Sequence, residues 1–262
     1  MIEDTYNALN PNTFGNFEVS TILINTAFGS GGVDDQTFED LKNNRLIVAQ
    51  RLANDRGLDP SNVDADGFPV GYGKINQAVL IPAFLAAYSG QNPETVPLAA
   101  TRETPLPNWA LQYTGLMKTK LFKKYFQRFS IAHGYRASHT LNNFQTNLNY
   151  DQTIPNQLDQ GGNLLNETLY TNINLVEQFN PLIKVDFELK NSFQFNVEIK
   201  RDRALSLSLD NNLLTETSGK ELIIGTGYRI KSVPFRTNLG GKRTTLKGDI
   251  NIKGDLSIRD NI

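Results

Sequence analysis

The chain has 262 residues, with 26 Lys and Arg against 27 Asp and Glu, 10% aromatic residues and no Cys. High aromatic content with a net charge of −1 excludes intrinsic disorder and gives no global reason to expect nucleic acid. The lack of Cys excludes disulfides, thiolate catalysis and Cys-based zinc sites.

The opening residues, MIEDTYNALNPNTF, lack the basic-then-apolar pattern of a secretory signal. Phe17, Val19 and Thr21 to Ile24 suggest a short strand. Thr37-x-x-Asp40 resembles a capping signal. Phe38, Leu41, Val48, Ala49 and Leu52 mark one face of a helix running to about Asn54. Arg56 to Gly73 is a turn-rich loop. Gln77 to Tyr88 predicts a short helix stopped by Ser89-Gly90, and its most apolar part, Ala78 to Ala87, is too short to span a membrane. Pro93, Pro97, Pro105 and Pro107 make 91–108 a linker or surface loop. The first 107 residues therefore read as a mixed strand, helix and loop region.

From 108 to 262 the apolar period becomes two, the signature of antiparallel strands. Trp109, Leu111 and Tyr113 alternate with polar or small partners. A basic amphipathic stretch, Met117 to Arg128, leads into Phe129, Ile131, His133, Tyr135, Ala137, His139 and Leu141 on one strand face. The phase shifts near Asn142-Asn143, which predicts a β-bulge. Ile183, Val185, Phe187 and Leu189 alternate with Lys184, Asp186, Glu188 and Lys190. Phe193, Phe195, Val197 and Ile199 alternate with Gln194, Asn196, Glu198 and Lys200. Residues paired across an antiparallel ladder share a face, so this parity predicts a hairpin loop of odd length at Lys190-Asn191-Ser192. Leu205, Leu207 and Leu209 continue the apolar phase. Leu222, Ile224, Tyr228 and Ile230 make another face, and Leu246, Ile250, Ile252, Leu256 and Ile258 the last. About eight strands result, with longer connections expected at 210–220 and 232–244. The closing GDLSIRDNI lies inside an alternating pattern, which implies a piece of a longer protein cut within a β-region.

Alternation alone does not say whether the apolar face meets a protein core or lipid. The strand patterns exceed the soluble average of about five or six residues, and their reverse is rich in charge and amide, as in a wet barrel lumen. Both a soluble β-sheet protein and an outer-membrane barrel segment fit these patterns.

Particular strings go further. NNLLTETSGKELIIGTGYRIK (211–231), preceded by VEIKRDRALSLSLDNN, resembles the SprA/Sov family of Bacteroidota, the outer-membrane translocons of the type IX secretion system. FEDLKNNRLIVAQRLA (38–53), DADGFPVGYGKINQAVLIPAFLAAY (64–88), NWALQYTGL (108–116), FSIAHGYRASHTLNNF (129–144) and NLVEQFNPLIKVDFELKNSF (174–193) carry the same resemblance in the same order. It implies a slice from towards the C-terminal part of a large antiparallel outer-membrane β-barrel. Residues 1–107 would be an inserted helical and loop region and 108–262 transmembrane strands. Ile183, Val185, Phe187, Leu189, Phe193, Phe195, Val197 and Ile199 would then face lipid, and Lys184, Asp186, Glu188, Gln194, Asn196 and Glu198 a hydrated lumen.

The resemblance also implies a non-enzymatic role, export of folded cargo proteins that supports gliding motility. It implies no cofactor. Its partners would be the cargo, a PorV-type shuttle barrel, a periplasmic plug protein and outer-membrane lipid. The competing expectation is a soluble or surface-exposed β-rich binding module, adhesin-like, with an outer-membrane hydrolase behind it.

Other candidates carry less chemistry. His133 and His139 lie six residues apart on one strand, about 20 Å at roughly 3.3 Å per residue, too far to share an ion. Asn62-x-Asp64-x-Asp66-Gly67 opens like a calcium loop but places Gly73 where the bidentate acid belongs, so an Asx-rich turn is the plainer reading. Residues 104–150 contain no acid, yet hold Lys118, Lys120, Lys123, Lys124, Arg128 and Arg136 among aromatic residues. They read either as an interfacial belt near lipid phosphates or as a solvated basic face. Gly71-x-Gly73 and Gly225-x-Gly227 complete no dinucleotide fingerprint and suggest bends or close backbone approach. Asn166-Glu167-Thr168 matches a glycosylation acceptor, a pattern common by chance.

Overall fold

A computed structural model describes residues 13–29, 35–101, 104–239 and 242–262, with the side chains of 238, 239, 242 and 243 excepted. The reading of the opening residues up to Asn12 lies outside these. The protein is mainly β, with 50% of residues in strands and 19% in helix, and the paired strands are antiparallel. In chain order the elements are β1 (Phe14–Ser20), α1 (Gln36–Asp55), α2 (Gln77–Ser89), β2 (Trp109–Tyr113), α3 (Lys120–Tyr125), β3 (Phe126–Thr146), β4 (Thr168–Leu169), β5 (Asn172–Leu189), β6 (Phe193–Ser208), β7 (Leu213–Leu239) and β8 (Lys242–Asn261). The sheet order is β1-β3-β5-β6-β7-β8, with β2 and β4 also paired to β3.

The chain forms two compact units that interleave along the sequence. The first gathers Met1–Asn108, Ala137–Glu177 and Ala204–Glu216; the second gathers Trp109–Arg136, Gln178–Arg203 and Thr217–Ile262. Long strands such as β5 therefore begin in one unit and end in the other.

The first unit holds a conventional core. The Asp35 side chain caps α1 by accepting from the Thr37 amide, so the Thr37-x-x-Asp40 cap reading was displaced by a stronger carboxylate two residues earlier. Leu41, Val48, Ala49 and Ala53 form the buried stripe of α1. In α2 nearly every residue from Val79 to Ser89 is buried, as expected of a helix apolar on all sides. Gly90 ends it in the left-handed conformation (φ 66°), a turn that L side chains rarely adopt. Buried strand residues of this unit are Ala137 and Leu141 of β3, Ile173 and Leu175 of β5, and Leu205 and Leu207 of β6.

β1 starts earlier than expected and ends at Ser20, where Thr21 N makes a last bond to the Ala137 carbonyl of β3 and Ser20 bonds Leu106, and a 3-10 turn follows at Ile24–Thr26. The register of β1 on β3 slips between Gly15/Phe144 and Phe17/Leu141, and Asn143 has φ 52°. One extra β3 residue is accommodated there, the bulge that the phase shift predicted.

Asn76 holds several segments of this unit together. Its Oδ1 accepts from the Ala78 amide (2.9 Å) and from Asn166 Nδ2 (3.2 Å), and its Nδ2 donates to the carbonyls of Gly71 (3.2 Å) and Leu164 (3.4 Å). Asn76→Ala is expected to cost about 1–3 kcal/mol, a lost cap plus two lost amide donations, of which the one to Gly71 leaves a carbonyl that still accepts from the Leu164 amide at 2.8 Å. Asn76→Asp, which keeps the cap and loses the donors, should fall between, as read from urea midpoints. A denaturation curve unchanged by the alanine would refute the bracing role.

Candidate functional site

The second unit carries the alternating strands. β5 ends at Leu189 and β6 starts at Phe193, so the connection has the odd length that parity required. Ser192 adopts φ 70° and its amide donates to the Leu189 carbonyl at 3.0 Å, while the Asn191 side chain accepts from Phe193 N at 3.3 Å. Phe187 and Phe195 stack across the hairpin with centroids 5.3 Å apart.

Connections expected to be long are short. β7 begins at Leu213, with Asn211 capping its amide and Asn212 at φ 54°, and it runs on through 232–239. The Ser, Thr and Gly of 215–219, which look loop-like in sequence, are ladder positions. β8 resumes at Lys242. β5 also begins at Asn172, eleven residues before Ile183; its first half was hidden because Glu177 and Pro181 interrupt the apolar pattern that Ile173, Leu175 and Phe179 otherwise carry.

On β7 burial is inverted relative to an ordinary water-soluble sheet, with the apolar face exposed and the other face covered, whereas on β8 both faces are exposed from Asn251 to Asp260. On β7 and β8 the register sets Leu222 opposite Ile258, Ile224 opposite Leu256, Tyr228 opposite Ile252 and Ile230 opposite Ile250. These pairs share one face and all eight are exposed, reaching 58% at Ile252 and 62% at Leu256 and Ile258. On β5 and β6, Ile183, Phe193, Val197 and Ile199 are likewise exposed, and Val185, Phe187, Leu189 and Phe195 are half-buried.

The opposite face carries the charges, and they cover one another. Lys184 meets Glu198 at 2.9 Å, Lys200 reaches Glu198 at 3.6 Å and Glu221 at 3.5 Å, and Arg229 lies 4.0 Å from Glu188. Arg128 pairs with Asp186 at 2.9 Å and Arg259 with Asp202 at 2.9 Å. Glu188 is only 4% exposed. Gln194 and Asn196 line a cleft of about 70 Å³ beside Asp186, Lys253 and Asp255. Gly225 and Gly227 make room for this layer. A Cβ at Gly225 would strike Asp255 and come within 3.2 Å of Asn196, and one at Gly227 would lie 3.1 Å from the Ile252 carbonyl. Cross-strand pairs of opposite sign are individually worth a few tenths to 1 kcal/mol. The alternation of sign leaves no large region of a single charge.

The remaining sequence candidates have structural roles. His133 Nδ1 lies 2.7 Å from the Leu182 carbonyl, and buried His139 meets the Phe17 ring edge-on at 6.4 Å. Asp64 Oδ1 accepts from the amides of Asp66 (2.8 Å) and Phe68 (2.9 Å), an Asx turn closed by Gly67 at φ 82°. The sequence reading missed its twin, in which Asp159 accepts from Gly161 and Asn163, both at 2.8 Å. The shared Asp-x-x-Gly spacing at 64–67 and 159–162 was the available signal. Among the described residues no group of acids and histidines is arranged to hold a metal ion.

A polar cavity of about 280 Å³ in the first unit is lined by amides already engaged: Asn76, Gln77, Asn147 and Asn163 all bond backbone groups. Burial pushes the Tyr170 phenol on its wall upward. No helix among the described residues is long and apolar enough to cross a membrane, which says nothing of strands. No family model and no curated protein matches this chain.

Proposed function

We propose that this chain is a segment of an outer-membrane β-barrel of the SprA/Sov kind, part of the pore through which the type IX secretion system exports folded proteins and supports gliding motility. The observation that carries the reading is the exposed, register-paired apolar ladder of β7 and β8 backed by a self-covering charged face. In water, that much bare Ile and Leu forgoes the roughly 25 cal/mol that each Å² of burial would contribute; against acyl chains the same area leaves water. The runs 222–230 and 250–258 match the nine or so residues that a tilted transmembrane strand requires.

On this reading Ile183, Val185, Phe187, Leu189, Phe193, Phe195, Val197 and Ile199 face lipid. Lys184, Asp186, Glu188, Gln194, Asn196 and Glu198 line an aqueous passage. Pairing of charges within that wall keeps it hydrated without offering cargo a strong counter-charge. The role is permissive rather than catalytic. Residues 1–107 are the inserted helical and loop region. The family resemblance supplies the partners: secreted cargo, a PorV-type shuttle barrel and a periplasmic plug protein.

The absence of native Cys permits single-cysteine spin labelling. Labels at Ile224 and Ile252 in the membrane-inserted protein should collide with oxygen in preference to a water-soluble nickel chelate. Labels at Asn196 and Asn251 should show the opposite preference. Nickel access at all four sites would reject the barrel, and the adhesin-like module would take its place.

A further inference from the structure

The connection from β2 to β3 gathers four exposed lysines within seven residues. It runs through a 3-10 turn (Gly115–Lys118) and α3, and places Lys118, Lys120, Lys123 and Lys124 in solvent. None of the four forms an ion pair with a described residue, whereas neighbouring Arg128 is matched by Asp186. Leu121 and Tyr125, four apart on α3, are 63% and 51% exposed among these ammonium groups.

The other side of α3 is anchored. Phe122 stacks on Phe126 at 5.2 Å and meets Phe129 edge-on at 4.8 Å, and Phe126 meets Phe187 edge-on at 5.4 Å. The aromatic cluster is thus continuous with the apolar face of β5. The Tyr125 carbonyl accepts from the Lys190 backbone amide at 3.1 Å, fixing the helix end against the β5–β6 hairpin.

We propose that this connection is a binding site for the phosphate groups of anionic membrane lipids. The inference rests on the apolar face lying in a bilayer, and adds which headgroups it meets. An exposed aliphatic and a tyrosine ringed by lysines fit the boundary between acyl chains and phosphates, where stems and rings stay in hydrocarbon and ammonium groups reach outward. Nucleic acid fits less well, because Phe122 and Phe126 are turned into the aromatic cluster and offer bases no stacking platform.

The test uses the full chain inserted into phosphatidylcholine vesicles carrying spin-labelled phosphatidylglycerol or spin-labelled phosphatidylcholine. The wild type should hold the anionic label about fivefold over the zwitterionic one, the effect of roughly one lysine at an anionic surface. Raised salt should abolish the preference. Lys118→Gln, Lys120→Gln, Lys123→Gln and Lys124→Gln combined should bring it to about one, and Lys253→Gln, on the opposite strand face, should leave it intact. Equal binding of the two labels by inserted wild type, or a preference that survives salt, overturns the site alone. Failure of the wild type to insert overturns the membrane reading and the site together.

Discussion

Replacing Ile224 with Arg is expected to lower the stability of the bilayer-inserted protein by about 2–4 kcal/mol, the cost of a cation on the lipid face near the midplane. Ile224 sits opposite Leu256 within the exposed ladder, with Leu222/Ile258 on one side and Tyr228/Ile252 on the other. The nearest carboxylate on that face of the ladder, Asp260, stands opposite Lys220 and four residues along β8 from Leu256, about 13 Å away at roughly 3.3 Å per residue, so the guanidinium has no partner within reach and must thin the bilayer or reach for its surface. The cost should depend on depth. Phe235→Arg, beyond the bulge between Ile230 and Val233, lies opposite Leu246 and outside the nine-residue span, so it should cost about 0–1 kcal/mol. Urea titration of inserted protein measures both. A face exposed to water would tolerate Arg at either position, and a face covered by a second protein layer would penalise both alike. Only a lipid face gives the graded result.

The strands were legible where one face was uniformly apolar. Ile183 to Leu189 and Phe193 to Ile199 keep strict alternation, and their parity was enough to determine the length of the loop between them. The slip at Asn142-Asn143 was legible for the same reason, since a phase change in a period-two pattern has few structural causes. Legibility failed where polar residues occupy ladder positions. Glu177 hid the first half of β5, and the Ser, Thr and Gly of 215–219 hid the start of β7. There the residues answer to the charged or close-packed face and not to propensity. α1 was legible from the spacing of its apolar face and α2 from its apolar run, while α3 was read only as a basic amphipathic stretch; the cap of α1 was not legible, because Asp35 outcompetes the Thr37 hydroxyl as an acceptor.

The charged wall was visible in the sequence only as a list of types. That Lys184 bridges to Glu198, and Lys200 to both Glu198 and Glu221, depends on the registers of three strands. One slipped residue would have turned every one of these groups to the other face. The cluster at 118–124 lay between two readings, interfacial or merely solvated. The structure adds which side of α3 is anchored, with Phe122 turned toward β5 and Leu121, Tyr125 and the lysines turned away, and the lipid-preference measurement separates the two readings.

Phe84→Ala should be the most damaging single truncation in the first unit, at about 3–5 kcal/mol. Phe84 is fully buried, its ring lies 5.1 Å from that of Tyr88, and Ile81, Val79 and Ala83 around it on α2 are buried as well. The void left behind has little means of closing. Asn76 fixes the start of α2 and Gly90 its end, so the helix is restrained against sliding inward to fill it. Phe84→Leu, which keeps most of the volume, should cost about 1–1.5 kcal/mol. Amide exchange across Gln77 to Ser89 reads both, with protection falling in proportion. The environment of the pocket makes the comparison with Ile224 informative. Phe84 is surrounded by protein, so its loss should be the same in detergent and in bilayers of any thickness. The penalty at Ile224 should grow as the hydrocarbon layer thickens and the guanidinium has further to reach. If the Phe84 penalty tracks lipid thickness, or the Ile224 penalty ignores it, the division between a protein-lined core and a lipid-lined face is wrong.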